Sequence, residues 1–294
     1  METIDLSNYT TFKIGCISDK VFVPYSLEEF MEILIENPDI TILGAGSNVL
    51  LSSFSIEKPL VLTKKLDNFT FLDDKLTTQC GVKTALLSKE ALKRELTGLE
   101  FLSCIPATIG GAVYMNASAH NQRVSDIIEE VTAFDKITKR PITLLKEQME
   151  LDYRKSIFQN GNLVILGASF KLQKLYREVI SHKMEQNQNY RKENHPSLAT
   201  PNLGSTFKNP KNNSAGRLIE EAGLKGYSVG GAQVSPIHAN FIINEGKATS
   251  LDVLKLMKLI QDTVLKRTQI KLYPEIKYIG NNKEEEELWQ KLNS

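Results

Sequence analysis

Three segments hold side chains whose types and spacing could do chemistry. The first is Gly204-Ser205-Thr206-Phe207-Lys208-Asn209-Pro210. A serine directly after a glycine is readily exposed, but the Gly-x-Ser-x-Gly of a hydrolase elbow is absent here. With no histidine in the segment, Ser205 is a poor nucleophile; beside a supporting charge its hydroxyl can instead give up a proton. Lys208 and Asn209 add donors for an anion. The alternative is a glycine–proline loop with a capping serine. The second segment is Asp152-Tyr153-Arg154-Lys155-Ser156. An arginine presented from a loop can hold a carboxylate or phosphate by two parallel hydrogen bonds, or make a surface salt bridge. The third is Leu272-Tyr273-Pro274-Glu275-Ile276-Lys277. A glutamate flanked by apolar residues is costly if buried, unless it is paired or functional. Alternatively Glu275 lies on the solvent face of an alternating strand. His238 has no second His or Cys near it in sequence, so no metal is expected, and a structural role is the default.

Two stretches of small residues could cradle a ligand. In Cys104–Ala119, Pro106 fixes its own φ, and Ala107, Gly110, Gly111 and Ala112 leave the backbone almost bare. A helix starting near Thr108 would add positive dipole character. Close packing of a helix on a sheet needs the same small residues. The other stretch, Gly44-Ala45-Gly46-Ser47-Asn48, lies between expected strands at Thr41–Leu43 and Val49–Leu51. Its third fingerprint glycine is missing, because position 49 is Val, and a strand follows where a dinucleotide fold has a helix. A Rossmann fold is therefore rejected. The loop can still wrap diphosphate oxygens through backbone donors, or be a simple turn.

The elements that must position these groups are legible. Ser26-Leu27-Glu28-Glu29 is a capping box before a helix with Phe30, Ile33 and Leu34 inward. Leu86, Leu87, Ala91 and Leu92 mark a second helix. Val131–Phe134 and Ile142–Leu144 predict a hairpin, and 163–170 a buried strand. From Leu175 the chain turns polar in helix-like spacing, which marks a domain boundary. A short helix follows Ser214, and a strand runs over Ala239–Asn244. Ser250 is read as the cap of a long helix whose inner face is Val253, Leu254, Met257, Ile260 and Val264. Lys271–Ile279 reads as a last strand, and the charged tail from Asn281 as peripheral.

The chain of 294 residues, 41% apolar and 24% charged, allows one large domain or two ordinary ones. A net charge of +1 gives no electrostatic reason for a nucleic-acid or membrane-surface partner. No apolar run reaches the length of a membrane span, and Met1-Glu2-Thr3-Ile4-Asp5 lacks signal-peptide features. Cys16, Cys80 and Cys104 are odd in number and widely spaced, so neither disulfides nor zinc are expected, and a reduced cytoplasmic setting fits.

Taken together the segments say more than any one of them. With Tyr9-Thr10-Thr11-Phe12-Lys13-Ile14-Gly15, Ala222–Gly226, Gly230–Ser235 and His238–Phe241, they fall in one order from about residue 8 to 280. In that order the chain resembles the UDP-N-acetylenolpyruvoylglucosamine reductases of peptidoglycan synthesis. The short spacing between Arg154 and Ser205 resembles their type II form. The resemblance implies an α+β architecture. Residues 1–174 would form a two-lobed FAD-binding portion of the vanillyl-alcohol-oxidase (PCMH) type, split near residue 55. Residues 175–282 would form an α+β substrate domain, and 283–294 a charged tail. Noncovalent FAD would lie against Gly44, Ala45, Gly46, Ser47 and Asn48, and against Pro106, Ala107, Thr108, Gly110 and Gly111. NADPH would reduce it, and UDP-N-acetyl-3-O-(1-carboxyvinyl)glucosamine would become UDP-N-acetylmuramate. Arg154, Ser205 and Glu275 would be catalytic, with Ser205 the proton donor. Tyr153, Asn209, Lys225 and His238 would contact the UDP-sugar. The expected protein is a monomeric cytoplasmic oxidoreductase, with neither nucleic acid nor membrane as partner. Two positions depart from the family: Ala107 stands where a glycine is usual, and Ala117-Ser118-Ala119 where Ala-Gly-Ala is common. Both add bulk near the expected flavin.

Overall fold

The computed structural model describes residues 3–294. The chain divides into two compact units, each built from separated stretches of sequence. One comprises Val21–Ala45 and Lys58–Arg191; the other comprises Met1–Lys20, Gly46–Glu57 and Lys192–Ser294. The contiguous portions 1–174 and 175–282 therefore do not coincide with the packing units. The main divide falls at 191–192, inside the helix Arg177–Asn194, rather than near 175. Two early segments, 3–20 and 46–57, pack with the C-terminal part because Phe12, Ile14 and Leu50 share its core.

The first unit opens with three short parallel strands in the order Val21–Phe22, Leu60–Leu62, Thr41–Leu43. Helix Leu27–Glu36 begins where Ser26 Oγ accepts the Glu29 N–H, and it buries Phe30, Ile33 and Leu34. Five antiparallel strands follow, in the spatial order Arg140–Leu145, Ile128–Asp135, Leu163–Lys171, Lys75–Gln79, Phe69–Leu72. The expected hairpin forms, with Ala133 opposite Ile142 and Phe134 opposite Pro141. Pro141 has no N–H to donate, and its strand is at the sheet edge, where none is needed inward. Both sheets feed one core containing Val61, Leu76, Phe101, Phe134, Phe158 and Phe170. Helices Thr84–Lys93 and Ile109–Tyr114 also belong to this unit, as does most of helix Arg177–Asn194.

The second unit is a four-stranded antiparallel sheet in the order Asn202–Ser205, Phe241–Asn244, Ala232–Val234, Ser228–Val229. Helices Ala215–Glu221 and Ser250–Thr268 belong to it, and Val253, Leu254, Met257, Ile260 and Val264 are all buried, as their spacing requires. The long helix is capped one residue earlier than expected. Thr249 and Asp252 form the capping box, while the Ser250 hydroxyl is bonded to Glu285. The expected strand Lys271–Ile279 is reduced to Lys277–Ile279, because Pro274 makes only an isolated bridge to Phe207. That strand runs parallel to Val49–Leu51. The tail is not peripheral: Lys283–Asn293 is a helix, and Glu285 and Leu292 are fully buried. Among the described residues no helix is long and apolar enough to cross a membrane.

Candidate active site

The strand bearing Ser205 pairs with its neighbour at only two points, Asn202 with Ile243 and Ser205 with Phe241. Gly204 sits between them at φ +72°, a left-handed value that suits glycine, and its N–H is held by Asn202 Oδ1 at 3.0 Å. Past Ser205 the ladder is continued by Asn240. Its carbonyl accepts the Thr206 N–H at 2.8 Å and its Oδ1 accepts the Phe207 N–H at 3.0 Å. Its Nδ2 donates to the Phe207 carbonyl at 2.8 Å. On the opposite flank the Glu275 N–H donates to the Thr206 carbonyl at 2.8 Å, and the Lys208 N–H to the Tyr273 carbonyl at 2.9 Å. Ser205 and Glu275 therefore lie on adjoining, bonded segments. Glu275 is only 7% exposed, which excludes the solvent-face alternative. Burial, helped by the charge of Lys208, also holds the Lys277 ammonium below its usual pKa.

His238, Lys225 and Asn209 occupy the same unit. The His238 ring stacks on His195 at 5.1 Å and 9°, and meets Phe241 edgewise at 4.9 Å. Its Nδ1 accepts the Asn240 N–H at 3.2 Å, which leaves the ring proton on Nε2 when neutral. Burial depresses its pKa, and the charge of Lys225 acts in the same direction. Lys225 Nζ pairs with Glu220 at 2.7 Å. Asn209 Oδ1 accepts the Ala215 N–H at 3.0 Å, so it holds the first turn of the following helix.

Arg154 and Tyr153 belong to the other unit. Arg154 adopts φ +53°, an uncommon conformation for a residue with a side chain. Its guanidinium lies 5.5 Å from the Tyr153 ring centre, and Nη1 donates to Ser118 Oγ at 3.0 Å. Its carbonyl accepts from Gln159 Nε2 at 3.0 Å.

The small-residue stretches divide between the two roles open to them. At Gly46, with φ +61°, a Cβ would overlap the Tyr9 carbonyl; at Gly110 it would stand 3.0 Å from Cys80 Cβ. At those two positions close packing alone already requires glycine. Gly111 is exposed, and a Cβ there would meet only Thr108 Oγ1, at 3.7 Å. At Gly44 a Cβ would overlap that same hydroxyl. Thr108 is 4% exposed, and its hydroxyl has no hydrogen-bond partner among the described residues. A buried orphan of this kind costs about 1–3 kcal/mol. An acceptor such as a phosphate oxygen, admitted by the two glycines, would satisfy it. Thr108 also precedes helix Ile109–Tyr114 without spending its side chain on a cap. Pro106 and Ala107 adjoin it on one side, and the Ala107 carbonyl accepts the Thr84 N–H at 3.1 Å. These residues fit a dinucleotide cofactor.

Comparison with known proteins agrees. Residues 195–279 match the family model of the UDP-N-acetylenolpyruvoylglucosamine reductase C-terminal domain, and residues 21–137 match that of an FAD binding domain. The reductase of Caldanaerobacter subterraneus subsp. tengcongensis is 40% identical, over 94% of this chain and 92% of its own. That of Clostridium novyi is 39% identical, over 95% and 92%. The crystal structure of the reductase from Thermus caldophilus superposes with a TM-score of 0.83 at 31% identity, covering 95% of this chain and 98% of that one. The chain belongs to the UDP-N-acetylenolpyruvoylglucosamine reductase family. The expected family, the α+β class with an FAD-binding portion, and FAD as cofactor are borne out. The C-terminal match contains Ser205, Asn209, Lys225, His238 and Glu275; the FAD-domain match contains Gly44–Asn48 and Pro106–Gly111 and ends before Arg154. Sequence reasoning missed Asn240 and Ser118 as site-builders. Both stood inside segments already singled out, but only the fold shows what their side chains bond.

Proposed function

We propose that this reductase-family enzyme converts UDP-N-acetyl-3-O-(1-carboxyvinyl)glucosamine to UDP-N-acetylmuramate, using NADPH, in peptidoglycan precursor synthesis. The reading is carried by a buried carboxylate, Glu275, whose backbone is bonded to the segment carrying Ser205. Gly44–Asn48 and Pro106–Gly111 would hold FAD, with the Thr108 hydroxyl donating to its pyrophosphate. Bound FAD would supply the hydride chemistry, with NADPH as the source and the enolpyruvyl group as the acceptor. Charge then builds on the substrate carboxylate, which Arg154 neutralises and Glu275 supports by sharing a proton. Ser205 Oγ gives its proton to the carbon bearing that carboxylate, which completes the lactyl ether. Tyr153, Asn209, Lys225 and the Nε2–H of His238 bind the UDP-sugar. Residues 1–174 serve the flavin and also supply Tyr153 and Arg154 to the substrate, 175–282 serve the substrate, and the enzyme works as a cytoplasmic monomer of the type II form.

The test is NADPH oxidation by the purified yellow protein, with and without the enolpyruvyl UDP-sugar. Oxidation that depends on the sugar is expected, and sugar-independent oxidation overturns the proposal. Ser205→Ala should keep its flavin and lose most turnover; unchanged turnover removes Ser205 from the mechanism.

A further inference from the structure

Arg154 Nη1 donates to Ser118 Oγ at 3.0 Å, and Ser118 has no role in the proposed chemistry. Arg154 is held from several directions. Gln159 Nε2 bonds both the Arg154 carbonyl, at 3.0 Å, and the Tyr114 carbonyl, at 2.9 Å. Ser156 Oγ donates to that same Tyr114 carbonyl at 2.7 Å, and Asn116 Nδ2 to the Asp152 carbonyl at 3.0 Å. The loop of Arg154 is thus bound to the segment 114–116, which leads directly to Ser118. Ser118 itself sits on a tight hairpin, opposite Arg123, with Ala119 opposite Gln122. The two turn residues, His120 at φ +52° and Asn121 at φ +60°, are both left-handed, which matches a two-residue turn that fixes register. Both partners of the 3.0 Å bond are therefore mounted on constrained backbone.

A guanidinium has donors and no acceptor. In the bond to Arg154 Nη1 the Ser118 oxygen must accept, so its own proton points elsewhere. Among the described residues no acceptor for that proton is found. Guanidinium and hydroxyl proton together make a donor pair of the kind that recognises a carboxylate.

We propose that Ser118 is a positioning residue for Arg154, aiming the guanidinium and adding its own O–H toward the substrate's carboxylate. This rests on the proposed role of Arg154. The side chain at 118 thereby becomes a device for stabilising charge on that carboxylate during hydride addition, rather than added bulk near the flavin.

The test separates the two half-reactions in the FAD-loaded enzyme. Ser118→Ala is expected to lower kcat/KM for the enolpyruvyl UDP-sugar about tenfold, as losing one charge-assisted hydrogen bond does. Flavin content and the rate of flavin reduction by NADPH should not change. Ser118→Thr, which keeps the hydroxyl, should recover most of the loss. In an Arg154→Lys background the alanine change should cost little more, because the two side chains act as a unit. Full activity in Ser118→Ala overturns the proposal. So does an equal slowing of both half-reactions, which would mark a merely structural residue. A wild-type enzyme that does not oxidise NADPH in response to the UDP-sugar overturns the proposed function itself, so the two failures are distinct.

Discussion

Asn48 Nδ2 donates to the Glu275 carbonyl at 3.2 Å, and the Lys277 N–H returns a bond to the Asn48 carbonyl at 3.0 Å. The last residue of the glycine loop and the buried carboxylate's backbone are one hydrogen-bonded piece. Removing the Asn48 amide leaves a part-buried carbonyl without this donor, a loss of about 1 kcal/mol. Asn48→Ala is therefore expected to weaken FAD binding and to lower kcat together, each by about fivefold. Flavin titration and steady-state kinetics on the one variant check this. Weaker flavin binding with an undiminished kcat would falsify the coupling.

Asn240 acts as a substitute peptide group. Its side chain both accepts from and donates to Phe207, where the strand ladder beside Ser205 has ended. Asn240 is 4% exposed, so water cannot replace it. Asn240→Ala orphans a buried N–H and a buried carbonyl, and should destabilise the fold by about 2 kcal/mol in urea unfolding. Asn240→Asp should slow turnover more than it raises KM, since a carboxylate faces the Phe207 carbonyl with no proton to give. A variant with unchanged unfolding midpoint and unchanged kcat removes Asn240 from the architecture of the site.

These two relationships also show where sequence reading stops. Periodicity placed Phe30, Ile33 and Leu34, and the stripe Val253 to Val264, because burial of a helix face is a local pattern. The segments carrying Ser205, Glu275 and Arg154 were legible because unusual residue types cluster there. What was not legible is side-chain bonding between distant segments. Asn240 clamping Phe207, Ser118 accepting from Arg154, and Thr108 left unpartnered between Gly44 and Gly111 all depend on tertiary contact. The same limit explains the tail. Its run of glutamates reads as a solvated end, yet one of the four, Glu285, turns inward.

Glu285 is fully buried. Its carboxylate accepts from Ser52 Oγ at 2.6 Å, from Tyr278 O–H at 2.7 Å, and from Ser250 Oγ. Ser250 is bonded in turn to Ser53. One side chain thus ties the C-terminal helix to the start of the long helix, to the strand Lys277–Ile279 and to the residue just past its partner strand Val49–Leu51. Burial, with help from Glu285, pushes the Tyr278 phenol pKa well above its ordinary value. Glu285→Ala leaves several buried hydroxyls without an acceptor and is expected to lose about 3 kcal/mol or more. Glu285→Gln, which keeps one acceptor oxygen, should lose less. Unfolding of both variants by urea decides the matter. Equal stability of Glu285→Ala and wild type would mean that the carboxylate is dispensable.

Cys80 predicts a pH dependence with a definite sign. Its thiol is 3% exposed, and burial pushes its pKa from 9.0 up to about 12. The folded state therefore keeps a proton that the unfolded chain releases. A group raised in this way contributes its full stability below pH 9.0, and that contribution declines as pH climbs toward about 12. Other groups titrate in the same range, so the informative quantity is the difference in unfolding free energy between wild type and Cys80→Ala. It should shrink steadily over that interval, because only the wild type loses the thiol's contribution. A difference that stays constant from one end of the interval to the other would show that the Cys80 thiol ionises as readily in the fold as out of it.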